Sequence, residues 1–219
     1  MTRHSSHSLR SDARDNRARI LDAARAVFLT QGLDVPIREV ARRAEVGPAT
    51  LYRHFPTKEL LVAEAFTDQM HACRSIVDEG LRNPDPWQGF RGAVEKLCEM
   101  YARDRGFTAA FMFTFPHAMD FAALRTATLA ATAELLRRAK ATGRLRPEVV
   151  LDDLLLMIMA NNGIQAPTPE ARVAASRRFA AFMIDGFRTS PESSPLPPVP
   201  LLRPGAGPAS ETDRPPGRR

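Results

Sequence analysis

Residues 35–55 read VPIREVARRAEVGPATLYRHF and carry the pattern of two short helices joined by a tight turn. In the first half, apolar residues recur three and four positions apart, as on one face of an amphipathic helix: Ile37, Val40, Ala41 and Ala44. The pattern stops at residues 45–47, where Gly47 provides the backbone freedom of a turn, and Pro48 suits the first turn of the next helix. The stretch therefore predicts a helix-turn-helix.

The second helix of this motif presents a polar face of the kind that reads DNA. A step of 100° per residue places Leu51 and Phe55 on one face and Ala49 and Arg53 on the opposite one. In helix-turn-helix proteins the second helix enters the major groove, where methyl, hydroxyl and guanidinium groups meet base edges. We expect base contacts from Arg38, Ala49, Thr50 and Arg53 and phosphate contacts from Tyr52, His54 and Lys58. The alternative is a helical corner with a purely structural role.

The motif and its flanks also resemble the tetracycline-repressor (TetR) family of transcriptional regulators. The resemblance rests on three segments: RILDAARAVFLTQG at residues 19–32, IREVARRAEV at 37–46 and TLYRHFPTKELL at 50–61. It implies an all-α protein in which an N-terminal three-helix DNA-binding domain precedes a larger C-terminal helical domain for ligand binding and dimerisation. The chain departs from the family pattern at Val35-Pro36 and Gly47-Pro48, so the capping and DNA-contact roles of these positions stay open.

The rest of the chain also favours an all-α fold, since helical periodicity recurs, Gly and Pro mark helix boundaries, and no alternation typical of strands occurs. We expect Thr57 to cap one long helix that continues toward Val77 and links the two domains. We predict a disordered basic arm at residues 1–15, the DNA-binding domain at 16–62, the ligand-binding and dimerisation domain at 63–190, and a disordered Pro-rich tail at 191–219. The alternatives are an arm that enters the minor groove and a tail that serves as a docking segment.

The net charge of +6 is concentrated in the predicted DNA-binding part of the chain. Residues 1–60 contain 11 Lys and Arg against 7 Asp and Glu, whereas residues 61–190 contain 16 against 15. Binding to a phosphate backbone requires such a local excess of cations. No stretch is apolar enough to span a bilayer and no secretory signal precedes the motif, so we expect a cytoplasmic protein without membrane contact.

Motifs for catalysis, cofactors or metals are missing from the sequence. It has no Gly-rich phosphate loop, no nucleophile elbow and no HExxH motif among its five His residues. Asp152-Asp153 suits the start of a helix, where the dipole favours acids. Cys73 and Cys98 lack metal-binding spacing and fit buried thiols in a reducing compartment, with a redox switch as the alternative. We therefore expect neither an enzyme nor a cofactor.

Bulky apolar side chains concentrate between residues 87 and 121 and predict a pocket for a small, largely apolar effector. The candidate lining residues are Trp87, Phe90, Tyr101, Phe107, Phe111, Met112, Phe115, His117 and Met119. Of these, Tyr101 and His117 offer polar anchors. The alternative is that the set forms only the core of its domain, and the family resemblance favours ligand binding over this alternative.

The last two predicted helices are apolar on more than one face, and a helix of this kind needs two packing partners. The family resemblance implies that the second partner is the same helix pair of another subunit. The candidate residues for this homodimer interface are Leu154, Leu155, Ile158, Phe179, Phe182, Met183 and Phe187. Two-fold symmetry would then match a palindromic DNA site.

These patterns together predict a ligand-responsive dimeric transcriptional regulator, a repressor that binds a palindromic double-stranded DNA operator and is released by a small effector. Two other hypotheses remain open. One is a DNA-coating protein that grips phosphates without regard to sequence. The other is a helical binder of hydrophobic small molecules that does not bind DNA.

Overall fold

The computed structural model describes residues 4–114, 118–191, 194–198 and 205–206, and helices dominate this part of the chain. These helices are α1 (His4–Gln31), α2 (Ile37–Arg43), α3 (Pro48–His54), α4 (Lys58–Ala65), α5 (Thr67–Arg82), α6 (Pro86–Arg103), α7 (Arg105–Met112), α8 (Met119–Ala141), α9 (Leu151–Asn162) and α10 (Pro169–Phe187). A two-residue parallel pairing joins β1 (Phe113–Thr114) to β2 (Gly205–Ala206). The predicted all-α fold is confirmed.

Helix α1 starts further toward the N-terminus than its apolar pattern indicates. It begins at His4, so the prediction of a disordered arm is wrong for residues 4–15. Residues 4–31 contain neither Pro nor Gly, and extending a helix that already exists costs much less than starting one. The C-terminal half of α1 buries the stripe that packs behind the motif: Ile20, Ala24, Val27 and Phe28.

The helix-turn-helix is formed by α2 and α3, and both helices bury the predicted apolar residues. The left-handed residue of the turn is Glu45, with φ 54°, whereas Gly47 is extended and precedes α3. The expectation that Gly47 supplies the unusual backbone conformation is therefore wrong. The guanidinium of Arg19 in α1 donates to the carbonyl oxygen of Ala44 at 2.6 Å and holds the end of α2 against α1. Neither Pro36 nor Gly47 provides a side-chain cap.

The connection to the second part of the chain is two helices rather than one. The hydroxyl of Thr57 accepts a hydrogen bond in the first turn of α4, as expected. At Phe66 the backbone leaves helical geometry, with φ −112° and ψ 10°, and α5 begins at the next residue. Nε of Arg25 in α1 donates to the carbonyl oxygen of Ala65 at 2.8 Å, which compensates for the interruption. The prediction of one continuous helix is wrong. The hydrogen bond that compensates for the interruption joins residues far apart along the chain, so the sequence near Phe66 does not reveal it. The predicted domain boundary after residue 62 also falls inside α4.

Helix α6 is central to the C-terminal part and packs against α5, α8, α9 and α10. It crosses α5 closely, at a point where Gly80 and Gly89 face each other. On another face, a buried polar cluster joins three helices: the amide of Asn161 in α9 and the hydroxyl of Ser176 in α10 both lie within hydrogen-bond distance of the Cys98 carbonyl oxygen, at 2.9 and 3.0 Å. These contacts hold the last two helices in register with α6.

The segment after α10 pairs with the connection between α8 and α9. The backbone N–H of Arg146 donates to the Phe187 carbonyl at 2.9 Å, and the Arg146 guanidinium donates to the carbonyl oxygen of Ser194. Residues 194–198 have no helix or strand, but Gly205–Ala206 pairs with β1. The prediction of a disordered tail is wrong for that pair, because any residue other than Pro can pair its backbone with an available strand.

Candidate DNA interface and ligand cavity

The seven residues predicted to contact DNA all lie at or near the solvent-facing side of the motif. Arg38, Ala49, Tyr52 and Arg53 are exposed, and Thr50, His54 and Lys58 are half-buried. Beneath them, Leu51 and Phe55 are fully buried and anchor α3 to the rest of the domain. The guanidinium of Arg17 in α1 lies 5.3 Å from the centre of the Phe55 ring and also pairs with Glu64. The helix is therefore held from behind while its polar side chains face outward.

Three exposed arginines of the motif have no ion-pair partner at contact distance among the described residues. Arg38, Arg43 and Arg53 make no hydrogen bond or ion pair with any residue that the structure describes. Arg42 differs, since its Nε donates to Glu39 at 2.9 Å and a second contact joins the same groups. That hydrogen bond lowers the pKa of Glu39. The unpaired guanidiniums suit phosphate or guanine contacts, and the sequence pattern alone did not single out Arg43.

His54 combines partial burial with an unsatisfied nitrogen. Its Nε2 atom is buried and has no hydrogen-bond partner among the described residues. Burial lowers the pKa of His54, and the positive charges of Arg53 and Arg17 lower it further. The imidazole is therefore neutral at pH 7, with one ring nitrogen still able to form a hydrogen bond.

The C-terminal part encloses a small apolar cavity of about 30 Å³ among α5, α6, α7, α8 and α9. Its lining consists of Cys73, Val94, Leu97, Tyr101, Phe111, Thr128, Leu129, Thr132, Leu151, Leu154, Leu155, Met157 and Ile158. Burial raises the pKa of Cys73 to about 11 and that of Tyr101 well above its ordinary value, so both groups are neutral. Ligand pockets measure about 300 to 1,000 Å³, so the cavity must expand to hold an effector.

A chain of aromatic rings runs from this cavity to the DNA-binding part. Tyr101 stacks on Phe107 with ring centres 5.3 Å apart, and Phe107 lies 6.1 Å from Phe66 at the junction of α4 and α5. Phe66 in turn lies 6.2 Å from Phe28 in α1. Gly106 packs so closely that a Cβ atom there would lie 2.9 Å from the backbone of Phe28. Helix α7 therefore contacts both the cavity and the helix that supports the motif.

The predicted pocket residues divide into separate groups. Tyr101 and Phe111 line the cavity, and Phe107 lies directly behind Tyr101. Trp87 and Phe90 do not line it: they pack at the opposite end of α6, where the Phe90 ring lies 6.5 Å from that of Phe187. The structure therefore does not bring these two residues together with Tyr101 and Phe111, because the length of α6 separates them. Phe115 and His117 lie outside the described residues, as do the side chains of Met112 and Met119.

The predicted interface residues also divide into two groups. Leu154, Leu155 and Ile158 are buried within the subunit and line the cavity, so their assignment to the subunit surface was wrong. Phe187 is buried, and Phe179 and Met183 are partly buried. An exposed apolar surface remains on the other side of the last two helices, with Phe182 61%, Leu156 49% and Met159 44% exposed. Because α9 is apolar around most of its circumference, its sequence did not indicate which side faces inward.

The cavity residues contributed by α8 were missed, although their spacing was visible. Thr128, Leu129 and Thr132 follow Arg125 by three, four and seven residues, which is the repeat of one helical face. Because Thr alternates with Leu on this face, the sequence pattern resembled that of a polar surface.

Within the described ranges, no helix is long and apolar enough to cross a membrane, and no group of three or more His, Cys, Asp or Glu side chains could hold a metal ion.

Comparison with known proteins gives two family matches. Residues 20–65 match the model described as bacterial regulatory proteins, tetR family, and residues 85–189 match the SbtR-like transcriptional regulator C-terminal domain. The HTH-type transcriptional repressor KstR of Mycolicibacterium smegmatis is 35% identical over 106 residues, which are 46% of this chain and 52% of that protein. The chain thus matches only about half the length of this curated relative.

Solved structures give matches over most of the chain. A TetR transcription regulatory protein from Mycobacterium vanbaalenii is 30% identical, with 83% of this chain and 99% of that one covered and a TM-score of 0.47. A tetR-family regulatory protein from Rhodococcus RHA1 is 17% identical, with 78% and 95% covered and a TM-score of 0.60. The second match shows a shared fold, and the two family models together cover about two thirds of the sequence.

Proposed function

Since the chain belongs to the TetR family of bacterial regulatory proteins, whose members are transcriptional regulators and not enzymes, we propose that it is a dimeric repressor released from DNA by a small, largely apolar effector. It acts in the cytoplasm on a palindromic double-stranded operator. Helix α3 enters the major groove and α2 lies across it. The predicted DNA contacts remain Arg38, Ala49, Thr50 and Arg53 for bases, and Tyr52, His54 and Lys58 for phosphates.

The observation that carries the proposal is the set of unpaired cations on a helix-turn-helix that is rigidly held from behind. Arg38 and Arg53 are exposed and make no ion pair with any described carboxylate, while Leu51 and Phe55 beneath them are fully buried. Several unpaired guanidinium groups on one surface attract a polyanionic binding partner. A precisely oriented helix is what a sequence-specific contact needs, because base edges are read by directional hydrogen bonds.

The exposed apolar residues of α9 and α10 support a homodimer. Phe182, Leu156 and Met159 are between 44% and 61% exposed, although each is of a kind that is usually buried. Several large apolar side chains left exposed on two neighbouring helices favour a protein interface there. In a two-fold dimer it would pack against its own copy and place two α3 helices on successive half-sites.

The aromatic chain supports control by an effector. Tyr101 and Phe111 are the aromatic residues of the cavity lining, and Phe107 connects them to Phe66 and α1, so an effector that displaces either ring would act on this chain of contacts. A rigid, closely packed contact passes displacement on rather than absorbing it. A coupling free energy of about 1 to 3 kcal/mol between the two sites would change DNA affinity roughly 5- to 150-fold.

The experiment is selection of the full chain on a random duplex library at about 0.15 M salt, followed by sequencing of the bound fraction. We expect an enriched palindrome. Arg53→Ala should then relax the preference at one base pair of each half-site and cost about 1 to 3 kcal/mol in binding free energy. Arg42→Ala is the matched control, since Arg42 is also exposed but is paired with Glu39, and it should change binding by less than about 0.5 kcal/mol.

Other outcomes would contradict the proposal in distinct ways. Binding without enrichment, with similar losses for Arg53→Ala on all sequences, would indicate a DNA-coating protein. No binding at all would indicate that the helical cavity alone carries the function.

A further inference from the structure

Arg125 in α8 lies beside the cavity in an unusual environment. Its Nε donates to the carbonyl oxygen of Phe111 at 2.5 Å, and its guanidinium lies 5.3 Å from the centre of the Phe111 ring. Phe111 itself lines the cavity together with Thr128, Leu129 and Thr132, which occupy the same face of α8 as Arg125. The guanidinium therefore lies one helical turn beyond the cavity lining, over one of its walls.

The charge of Arg125 has no counter-ion in the part of the chain that the structure describes. No described carboxylate lies within ion-pair distance, although the side chain is half-buried. Burial lowers the pKa of Arg125, but a guanidinium stays protonated at any physiological pH. Partial removal of a charge from water is costly when no opposite charge lies nearby, so an anion bound at this guanidinium would offset that cost. Toward the residues that the structure describes, only Nε of Arg125 makes a hydrogen bond, which leaves the two terminal nitrogens for a planar, bidentate contact.

We infer that the effector is an amphipathic carboxylate whose anionic group binds Arg125 and whose apolar body enters the cavity past Phe111. This rests on the proposed control by an effector and names the chemical class of that molecule. The cavity lining contains no charged side chain, so it accepts only the uncharged part of such a ligand. One guanidinium matches one carboxylate in charge and in fork geometry, whereas a dianionic phosphate would need further cations.

Binding would also act directly on α7. The carboxylate competes with the Phe111 carbonyl for the same guanidinium, and the ligand body takes the space beside the Phe111 ring. Both changes loosen the C-terminal end of α7, whose first turn at Gly106 packs on the backbone of Phe28. The anion site is therefore placed where occupation alters the contact between cavity and DNA-binding part.

The test is isothermal titration calorimetry of the full chain with sodium decanoate and with 1-decanol, which share one apolar body. We expect decanoate to bind at least about tenfold more tightly, as a charged hydrogen bond of this kind allows. Arg125→Gln should reduce this ratio to about twofold or less, and Arg125→Lys should restore part of it. Arg172→Gln is the matched control: Nε of Arg172 also donates to a helix carbonyl, at 2.6 Å from Ala102, but lies in an outer groove away from the cavity.

Equal binding of the two compounds to the wild-type chain would overturn the inference. An affinity ratio of decanoate to 1-decanol that stays unchanged in Arg125→Gln, or that is lost in Arg172→Gln, would also overturn it. The same holds if none of the three carboxylates hexanoate, decanoate and palmitate binds. A gel-shift assay of whether each compound releases the chain from its selected operator distinguishes failure of this inference from failure of the proposed function. Release by 1-decanol and not by decanoate would refute the carboxylate and keep the repressor. Decanoate binding that depends on Arg125 without any release would keep the ligand class and refute its role as effector.

Discussion

Replacing Gly89 by Ala tests how closely α5 and α6 must approach for the C-terminal part to form. A Cβ atom on Gly89 would lie 2.2 Å from the carbonyl oxygen of Gly80 and 3.1 Å from Asn83 Cβ. Real Cβ atoms essentially never come closer than 3.0 Å, so the helices must separate by roughly 1 Å at the crossing. The atom that blocks the new methyl group belongs to the backbone, and no change of rotamer can relieve the clash.

The expected cost follows from two opposing effects. Overpacking of this kind destabilises by about 1 to 3 kcal/mol, and the fixed position of the Gly80 carbonyl favours the upper end of that range. Ala is better than Gly inside a helix by about 1 kcal/mol, which offsets part of the loss. The free energy of unfolding should therefore fall by about 2 kcal/mol, and the melting temperature by roughly 4 to 8 °C for a chain of this size.

The control lies on the same helix three residues further along. At Gly92 a Cβ atom would meet nothing within 4 Å, so Gly92→Ala should gain only the helix preference and raise the melting temperature by roughly 2 to 4 °C. Both variants are melted by circular dichroism at one protein concentration, because the proposed dimerisation would make the midpoint depend on concentration. A Gly89→Ala protein as stable as Gly92→Ala would refute the close crossing of α5 and α6.

Thr57→Ala removes the hydroxyl that caps α4 and should lower the stability by about 1 kcal/mol in denaturant titration, and an unchanged midpoint would contradict the capping role. Phe182→Asp should raise the dimer dissociation constant at least about tenfold in analytical ultracentrifugation, since it would place a charge in the proposed apolar interface. Leu29→Asp, at an exposed apolar residue of α1, should leave that constant unchanged, and equal effects would exclude an interface at α10. Hydrogen bonds from two arginines, the first from Arg177 in the neighbouring helix, lower the pKa of Glu99 to about 2. A depressed folded-state pKa stabilises above the ordinary value of 4.5 and loses this contribution as pH falls toward 2, so Glu99→Gln should flatten the fall in melting temperature across that interval. An acid-side slope identical to that of the wild type would argue against this ion pair.

The helix-turn-helix was predictable because its signals are local. The spacing of Ile37, Val40 and Ala41 identified the buried face of α2, and Leu51 with Phe55 identified that of α3. Thr57 was recognised as a cap from its position before a helical pattern. Even here the unusual backbone conformation of the turn was assigned to Gly47 rather than Glu45. A non-Gly residue rarely adopts a positive φ, and no sequence pattern predicts that Glu45 does so.

The candidate ligand site was harder to predict, since its residues come from five helices. Aromatic composition selected Trp87 together with Tyr101, yet these lie on different turns of α6 and contact different neighbours. Leu154 and Ile158 were assigned to the subunit surface but line the cavity. An apolar residue type predicts that the side chain is buried, but it does not predict which helix the side chain packs against.

By itself, the sequence determined the helical class, the family and most helix boundaries, because periodicity, caps and Pro or Gly residues act within a few positions of the chain. Only the tertiary structure decided that α4 and α5 separate at Phe66, that α9 turns Leu154 and Leu155 inward and that Arg125 reaches Phe111. These features depend on contacts between residues far apart along the chain. Their energies arise from packing and desolvation, which exist only once the helices have met.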